Sequence, residues 1–474
     1  MSSLPQVLPH EADVSARAVL GFLDRIEREG IEMHAFLVLR HGKVAAKGVW
    51  KPFSFDYTHM LFSLSKSFTS TAVGFAVQEG LLSVEDNVLS FFPEEAPENP
   101  SENLKKMKIR HLLSMSTGHK TEPPYPYQAG ADWVGNFLRH PVEYEPGTHF
   151  LYNTPSSNML SHILTKVTGQ REDDYLKPRL FDPLGITDYF WEASPSGLPH
   201  GGSGLHLHTE DIAKFGLFLL HRGEWEGRQL LDPTWIDDAT AKHIDNDGTL
   251  DWRQGYGYQF WRCSPPHVYR GDGAFGQFCV VMPDQDALFI ANSATDNLQG
   301  ILCALWDTIY ASFAEDHTAP DPAGEAALHQ KIAALCQPFP EGEPSDPAAA
   351  AVSGRRYRLE DNPLGIAAFT LTCGKSDTLC VETARGEYTL PIGHGEWLEG
   401  HTCVPRGSAS YLFPQYAETA CAASWKDGAY HLVVRYHHNT ARDYATLTFT
   451  PDGVSVHILR RLFMQGGDYT IKGT

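Results

Sequence analysis

Apolar positions along the first two-thirds of the chain recur with two different periods, and each period predicts a different element. A helical spacing of apolar residues runs through residues 14–29. Residues 31–39 and 44–49 alternate as two strands around a tight turn, and residues 278–282 and 287–291 form a second hairpin pattern, followed by another helical stripe. Because each hairpin is flanked by a helix, we expect one antiparallel sheet built from both ends of this region.

The pattern changes between the hairpins and again after them. The stretch between the hairpins is mostly helical, as in residues 62–79, whereas residues 316–352 are rich in Pro, Asp and Glu around one short predicted helix. Residues 353–474 contain short alternating segments separated by turn signals, which indicates an all-β module, a sandwich or a barrel. The predicted organisation is therefore a first domain over 1–315, a linker over 316–352 and a C-terminal β domain over 353–474.

Charge and composition narrow the class of partner. The 474 residues include 38 Lys and Arg against 58 Asp and Glu, which gives a formal net charge of −20. A surface of that sign repels a phosphate backbone, so nucleic acid is not an expected partner. The sequence also contains no uninterrupted apolar stretch of about 18 residues, so no membrane partner is expected.

The N-terminal segment and the cysteines favour the cytoplasm. The first residues lack the basic start and the apolar stretch of a secretory signal. The eight cysteines are scattered and none forms a Cys-x-x-Cys pair, which favours reduced, partly buried thiols over a disulfide framework. The sequence contains no His-Glu-x-x-His motif, and we expect neither a metal ion nor an organic cofactor.

A Ser-x-x-Lys pair, Ser63 and Lys66, opens an apolar helical stretch and is the strongest candidate for chemistry. Residues three apart on a helix share a face, so the lysine amine is expected near the serine hydroxyl. A serine hydroxyl becomes a good nucleophile only when a base takes its proton. A lysine serves as that base only where burial or a neighbouring cation lowers its pKa. Taken alone, the pair is more typical of a Ser-rich helix start with a solvated lysine, but its place at the start of an apolar helix favours a role in chemistry.

Four further segments follow the Ser-x-x-Lys pair in order along the chain, at residues 110–118, 145–154, 201–216 and 270–278. Together with that pair they resemble the serine β-lactamase and penicillin-binding-protein-like hydrolase family. That family includes class C β-lactamases, D-alanyl-D-alanine carboxypeptidases, D-aminopeptidases, 6-aminohexanoate-dimer hydrolases and related esterases. The resemblance covers residues 14–315 and implies an α/β (α+β) fold, in which helices flank an antiparallel sheet and a helical subdomain lies beside it.

The resemblance implies a role for each matching residue. Ser63 would be the acylated nucleophile and Lys66 its proton acceptor. Tyr152 would complete the base system and protonate the leaving group, provided that a cation such as Lys66 lowers its pKa. The backbone N–H groups of Ser63 and Ala274 would form the oxyanion hole, with Gly273 allowing close approach of the strand.

The tyrosine motif departs from the family pattern at its third position. The family's Tyr-x-Asn reads Tyr152-Asn153-Thr154 here. Either Thr154 supplies the substrate hydrogen bond, or Asn153 does so with a shifted backbone. We favour Thr154.

The strand motif departs from the family pattern at its first position. The family's Lys-x-Gly or His-x-Gly reads Gly271-Asp272-Gly273, without the cation that helps relatives bind a substrate carboxylate. Its absence weakens the case for recognition of β-lactams or peptidoglycan. Arg270 is adjacent, but neighbouring strand residues face opposite ways, so the sequence does not assign it that role.

The sequence therefore predicts a serine hydrolase that cleaves a small-molecule ester or small amide through a Ser63 acyl-enzyme. A D-amino-acid peptidase, carboxypeptidase or β-lactamase activity on the same fold is the first alternative. A catalytically silent protein that uses the cleft as a receptor is the second. The composition leaves open whether the chain assembles into a homo-oligomer and what the C-terminal β domain does.

Overall fold

The chain folds as two units, and the division does not follow the order of the sequence. One unit contains Met1–Val49 and Thr58–Ala334, and the other contains Trp50–Tyr57 and Leu335–Thr474. The short segment that precedes Ser63 thus belongs to the same unit as the C-terminal residues. This computed structural model describes residues 4–126, 128, 130–384, 386–403, 416–461 and 466–474.

Helices make up much of the first unit. The predicted helix over 14–29 is confirmed as α1, and the helical stretch over 62–79 becomes a short 3-10 turn, Phe62–Leu64, followed by α2. The helices are α1 Ala16–Arg28, α2 Ser65–Gln78, α3 Glu102–Lys106, α4 Ile109–Leu113, α5 Trp133–Arg139, α6 Thr154–Thr168, α7 Glu172–Leu176, α8 Asp182–Leu184, α9 Thr209–Leu220, α10 Pro233–Thr240, α11 Leu298–Leu305, α12 Pro322–Ala333 and, in the second unit, α13 Ala349–Val352.

The two predicted hairpins pair into one antiparallel sheet, as the sequence indicated. The strands of the first unit are β1 Met33–Arg40, β2 Lys43–Val49, β3 His59–Met60, β4 Phe190–Trp191, β5 Leu205–Leu207, β6 Glu224–Trp225, β7 Arg228–Gln229, β8 Trp261–Arg262, β9 Tyr269–Gly273, β10 Gln277–Met282 and β11 Ala287–Ser293. The main sheet has the order β2-β1-β11-β10-β9-β8, so the N-terminal hairpin joins the later one through β1 and β11. Phe36 lies opposite Ala291 in that central register.

Helices cover both faces of this sheet. The Phe22 ring of α1 packs 5.2 Å from the ring of Phe289. On α9, a Cβ atom added to Gly216 would lie 3.0 Å from Cδ1 of Leu288. Leu288 and Phe289 are adjacent in β11 and therefore face opposite sides of the sheet. This arrangement confirms the predicted class, an antiparallel sheet flanked by helices.

Helix α2 is buried along most of its length although it carries many polar residues. Its hydroxyl groups bond to neighbouring segments: Thr69 donates to the carbonyl of Gly201 at 2.6 Å, and Ser67 donates to the carbonyl of Gln259 at 2.9 Å. Buried hydroxyl groups need such partners, because each unpaired group costs free energy. These bonds fix the position of α2 against the loops around it.

The second unit is built from consecutive antiparallel strands in two sheets, which confirms the predicted all-β character of the C-terminal region. The sheet orders are β12-β13-β14-β15 and β16-β17-β18-β19-β20-β21. Backbone bonds of 3.0 Å between Arg358 and Thr474, in both directions, join the start of the first sheet to the end of the second. The strands are β12 Arg356–Arg358, β13 Ile366–Thr372, β14 Asp377–Thr383, β15 Gly386–Ile392, β16 Leu398–Cys403, β17 Tyr416–Lys426, β18 Ala429–Tyr436, β19 Arg442–Thr450, β20 Gly453–Arg461 and β21 Gly467–Gly473.

Helix α12 lies in the stretch predicted as a linker and belongs to the first unit. Arg17 of α1 pairs with Asp321 at 2.7 Å, and Lys331 of α12 pairs with Asp24 at 2.9 Å. The division at 315 and 353 stays a prediction.

None of the helices in the part of the chain that the structure describes has the length and apolar character needed to span a bilayer.

We predict that two glycines in helix interiors respond in opposite directions to substitution by alanine. Alanine favours a helix over glycine by about 1 kcal/mol at either position. A Cβ on Gly74 of α2 would overlap the indole of Trp235, whereas a Cβ on Gly21 of α1 meets only Cγ2 of Thr308 at 3.6 Å. Gly74→Ala should lower the free energy of unfolding by about 2 kcal/mol, and Gly21→Ala should raise it slightly. Denaturant unfolding measures both, and a stabilised Gly74→Ala protein would contradict the packing described for α2.

Candidate active site

Ser63 stands at the exposed point of an otherwise buried turn. It is partly exposed, whereas every other residue of the stretch 59–76 is buried. Phe62, directly before it, has a φ of 48°, a left-handed conformation that costs free energy in a residue with a Cβ. Ser65 holds the turn, since its hydroxyl donates to the Phe62 carbonyl at 2.7 Å and accepts the N–H of Leu205 at 3.1 Å.

Lys66 is buried, with 1% of its surface exposed, and its amine is surrounded by neutral oxygen atoms. Nζ donates to Oγ of Ser63 at 3.0 Å, as the Ser-x-x-Lys spacing predicted. It also donates to the Gly202 carbonyl at 2.6 Å and to Oγ1 of Thr154 at 3.3 Å. The amine therefore links three separate segments of the chain at the serine hydroxyl.

Burial lowers the pKa of Lys66 to about 7. The cause is desolvation, because the ammonium form loses its hydration in the interior. The negative charges of Glu122 and Asp272 act in the opposite direction and raise the pKa by a smaller amount. The condition that the sequence set for a lysine base is thus met by burial. A substantial fraction of the amine is uncharged at neutral pH and able to accept a proton.

Tyr152 lies against the same pair. Nζ of Lys66 is 5.0 Å from the centroid of the Tyr152 ring, and a side-chain interaction with Ser63 contributes to the pKa of the phenol. The ring packs against Trp261, with 5.3 Å between centroids, and against Tyr256 at 6.1 Å. The structure therefore brings Ser63, Lys66 and Tyr152 together, although Tyr152 is far from the other two in sequence.

The expectation that a cation lowers the pKa of Tyr152 is wrong. Burial raises this pKa above its ordinary value, and the charges of Asp272 and Glu122 raise it further, while the contact with Ser63 lowers it only in part. Lys66 fails to lower the pKa because an amine that is itself only partly protonated is a weak source of positive charge. At neutral pH the phenol keeps its proton, so it is suited to donate a proton and not to accept one.

The structure separates the two alternatives for the third position of the tyrosine motif. Asn153 is fully buried and caps helix α6: Oδ1 accepts the N–H of Ser156 at 2.8 Å and the Ser156 hydroxyl at 2.6 Å. Its amide nitrogen donates to the Thr117 hydroxyl at 3.3 Å. Thr154 instead directs Oγ1 to Lys66. Thr154 is thus the residue of this pair that lies at the serine.

The end of strand β9 lies against the Ser63 turn. A Cβ atom on Gly273 would overlap the carbonyl oxygen of Leu61, so this position requires glycine for the two backbones to meet. The rings of Phe62 and Phe275 pack 5.4 Å apart in an edge-on contact. The contact residues are Leu61 and Phe62, directly before Ser63, on one segment, and Gly273 and Phe275, on either side of Ala274, on the other. The two predicted oxyanion-hole residues thus lie in segments that touch.

The strand position that holds a cation in the family is occupied by Gly271, and a carboxylate follows it. A Cβ on Gly271 would overlap Cδ1 of Leu64, so packing against the Ser63 turn leaves little room for a side chain. Asp272 accepts a hydrogen bond from Nε of Arg270 at 2.8 Å. Arg270 is completely buried beneath the ring of Trp252, so it is not exposed to a bound substrate.

Sequence reasoning missed three residues around the site. Gly202 supplies the carbonyl that Lys66 bonds, and it must be glycine because a Cβ there would lie 2.5 Å from Cγ2 of Thr154. Gln259 is buried and joins α2, α4 and α6. Its backbone carbonyl accepts the Ser67 hydroxyl of α2, and its side chain bonds the Leu113 carbonyl at 2.8 Å and the Ser157 hydroxyl at 2.6 Å. Glu122 accepts the N–H of Thr154 at 2.8 Å. Only the glycine-rich run at 201–204 gave a visible signal.

The histidines that the sequence places near the site form pairs with carboxylates. His206 lies 3.4 Å from Glu192, and His208 lies 3.0 Å from Asp188. Among the residues that the structure describes, no group of three or more His, Cys, Asp or Glu side chains is placed to hold a metal ion.

Comparison with known proteins identifies the class that this fold and site define. The model of the Beta-lactamase family matches residues 23–308, more than half of the chain. The chain therefore belongs to the β-lactamase family, which confirms the resemblance drawn from the sequence motifs.

Similarity to named relatives extends over parts of the chain. The putative D-alanyl-D-alanine carboxypeptidase of Escherichia coli (strain K12) is 32% identical over 146 residues, which are 27% of this chain and 33% of the relative. The chain thus spans about a third of the length of that curated relative. The 6-aminohexanoate-dimer hydrolase of Paenarthrobacter ureafaciens is 25% identical over 289 residues, which are 55% of this chain and 72% of the relative.

A solved structure shares the fold across nearly the whole chain. The octameric penicillin-binding protein homologue from Pyrococcus abyssi matches with a TM-score of 0.50 and 16% sequence identity. The match covers 96% of this chain and 99% of that one. The similarity therefore includes the C-terminal strands as well as the region that the family model covers.

We predict that adjacent residues of the tyrosine motif differ in their effect on stability. Asn153→Ala removes the cap of α6 and the acceptor of the buried Ser156 hydroxyl, so the free energy of unfolding should fall by about 2 kcal/mol. Thr154→Val keeps the shape of the side chain and should cost less than about 1 kcal/mol. Denaturant unfolding of the two variants tests this, and equal losses would contradict the assignment of Asn153 as the cap.

Proposed function

We propose that this protein is a serine hydrolase that cleaves an ester or small amide through an acyl-enzyme on Ser63. The observation that carries the proposal is the 3.0 Å contact between Ser63 Oγ and a Lys66 amine whose pKa burial lowers to about 7. A hydroxyl beside an uncharged amine is an activated nucleophile. Its partial exposure at a strained turn lets a carbonyl carbon reach it.

In the acylation step, the Ser63 proton moves to Nζ of Lys66 as Oγ bonds the substrate carbonyl carbon. The backbone N–H groups of Ser63 and Ala274 donate to the oxygen that becomes negative. The bond from carbon to the leaving oxygen or nitrogen then breaks. The leaving group takes the Tyr152 phenolic proton, and the proton held by Lys66 replaces it. The raised pKa of Tyr152 supports this role, because the phenol remains protonated until the leaving group needs the proton.

In the deacylation step, water attacks the acyl carbon and its proton returns through Lys66, which restores the Ser63 hydroxyl and releases the acid. Thr154 contacts the substrate as well as the amine in this scheme, and the 3.3 Å between Oγ1 and Nζ supports that role. No step draws on a metal ion or an organic cofactor.

An ester or small amide is favoured over a β-lactam or a D-alanyl peptide. The relatives described above are named a putative D-alanyl-D-alanine carboxypeptidase and a 6-aminohexanoate-dimer hydrolase, so their names do not single out one substrate class. Gly271 leaves the site without the strand cation that suits a substrate carboxylate, and Asp272 adds negative charge beside it. Peptidase or β-lactamase activity on the same fold is the alternative.

We also propose a reducing compartment, the cytoplasm, and assembly into a homo-oligomer. Cys263, Cys279, Cys303, Cys336, Cys373, Cys380 and Cys421 are free thiols, which supports the first. The structural homologue from Pyrococcus abyssi, which covers both units, is described as octameric, which supports the second.

Ser63→Ala should abolish ester turnover and covalent labelling while the fold stays intact. An active-site-directed fluorophosphonate should add one phosphonyl group to the wild-type protein at Ser63, read by intact-mass and peptide mass spectrometry. Ser376→Ala, which changes an exposed serine in the second unit, should label as the wild type does. Activity that survives in Ser63→Ala would refute the mechanism. Absence of labelling in the wild type would favour a silent binding protein.

A panel of one simple ester, nitrocefin and a D-alanyl dipeptide separates the proposed activity from its alternative. We expect Ser63-dependent turnover of the ester to exceed that of the other two, because both of these carry a carboxylate. Faster turnover of nitrocefin or of the dipeptide would reverse the assignment.

Activity should rise with pH through about 7. The base must be unprotonated before it accepts the Ser63 proton, and the pKa of Lys66 lies at about 7. Below that pH the ammonium form dominates and kcat/KM should fall about tenfold for each pH unit. Above it kcat/KM should level off. A profile that stays flat from pH 5 to pH 9 would show that Lys66 is not the base.

A further inference from the structure

Glu122 brings a carboxylate to the edge of the Ser63 site. Its Oε1 accepts the N–H of Thr154 at 2.8 Å, and the hydroxyl of the same threonine lies 3.3 Å from Nζ of Lys66. One residue thus separates the carboxylate from the amine. Thr154 is the first residue of α6, and the positive end of a 15-residue helix holds a carboxylate at that place.

The remaining part of the Glu122 carboxylate is available to a ligand. The side chain is exposed, and Oε2 has no hydrogen-bond partner among the described residues. A charged group that enters the site therefore meets this oxygen without having to displace another side chain from it.

A second carboxylate, Asp272, adds to the negative character of the site. Its pair with Arg270 is buried, and the carboxylate end of the pair is the end that acts on both Lys66 and Tyr152. Arg270 offsets much of the charge of Asp272 within this pair, whereas the exposed Glu122 has no such cation among its hydrogen-bond partners in the described part of the chain. Glu122 is therefore the main source of negative charge that a ligand meets.

We propose that Glu122 is a specificity-determining residue, an inference that rests on the proposed function. It selects substrates with an ammonium group near the scissile carbonyl and disfavours substrates with a carboxylate at that place. The substrate class is then an amino-terminated ester or small amide. The contact between Glu122 and the N–H of Thr154 places the charge, and the exposed oxygen receives the ligand.

A purely structural role for Glu122, as an acceptor at the start of α6, makes a different prediction. Glu122→Gln keeps an oxygen for the Thr154 N–H but removes the charge. Glu143→Gln is a matched control, because Glu143 is exposed and likewise accepts a backbone N–H, that of Lys120 at 3.2 Å. Glu143 is not among the groups that act on Lys66 or Tyr152.

The test compares three 4-nitrophenyl esters that differ in charge. The acyl groups are 4-(trimethylammonio)butanoyl, its uncharged isostere 5,5-dimethylhexanoyl, and glutaryl. In the wild type, kcat/KM for the cationic ester should exceed that of the isostere by about fivefold, the scale of a partly exposed ion pair, and the glutaryl ester should be slowest. The cationic preference should shrink as salt is added.

The variants test whether Glu122 causes the preference for the cationic ester. Glu122→Gln should bring the ratio for the cationic ester and its isostere close to one, whereas Glu143→Gln should leave the ratio as in the wild type. Equal rates for both esters in the wild type, a preference for the glutaryl ester, or a preference that persists in Glu122→Gln would each overturn the inference. A structural role alone would lower activity toward all three esters in parallel.

A binding measurement separates this inference from the proposed function. In Ser63→Ala protein, titration calorimetry with 4-(trimethylammonio)butanamide and with 5,5-dimethylhexanamide should show tighter binding of the cation, and the difference should disappear in the Ser63→Ala, Glu122→Gln double variant. If no ester is turned over but this difference is present, the proposed function fails, and only the binding of an ammonium group by Glu122 is supported. If esters are hydrolysed and the difference is absent, the inference fails alone.

Discussion

The burial of one lysine amine is the constraint on which the rest of the site depends. The difference between the pKa of about 7 at Lys66 and the ordinary value of 10.5 corresponds to about 5 kcal/mol against the ammonium form. The unfolded lysine keeps its ordinary pKa, so the native state binds fewer protons between these two pH values. The cost to stability is therefore fully present below about pH 7 and disappears as the pH rises through 10.5.

The neighbours of Lys66 do not relieve the free-energy cost of burying its ammonium form. The amine bonds Ser63, Thr154 and Gly202, all through uncharged oxygen atoms. A carboxylate in direct contact would stabilise the ammonium form and keep the amine from accepting a proton at neutral pH. Glu122 and Asp272 act on the amine through their charge and not through a hydrogen bond, and they raise the pKa of Lys66 less than burial lowers it. The glycines at 202 and 273 let neutral backbone pack closely around the site, at Thr154 and at Leu61.

The features predicted correctly from the sequence are those that depend on local periodicity and on the spacing of nearby residues. The hairpins, α1, α2 and the Ser63–Lys66 contact depend on residues close in the chain, and the structure confirms them. The strands β16 and β17 were not predicted. Family resemblance brought in Tyr152, but the sign of its pKa change depends on burial by Trp261 and Tyr256, which come from a distant segment. The contacts of Glu122 and Gln259 likewise join distant segments, and no periodicity reports them.

The most direct test of the account is the ionisation of Lys66 itself in the resting protein. Lysine labelled with 13C at Cε reports the charge of each amine by NMR, and Lys66→Arg identifies the signal of this residue. The account predicts that one lysine signal titrates near pH 7 and disappears in that variant. If every lysine signal, including that of Lys66, titrated above pH 10, the amine would be charged at neutral pH and the account would be contradicted.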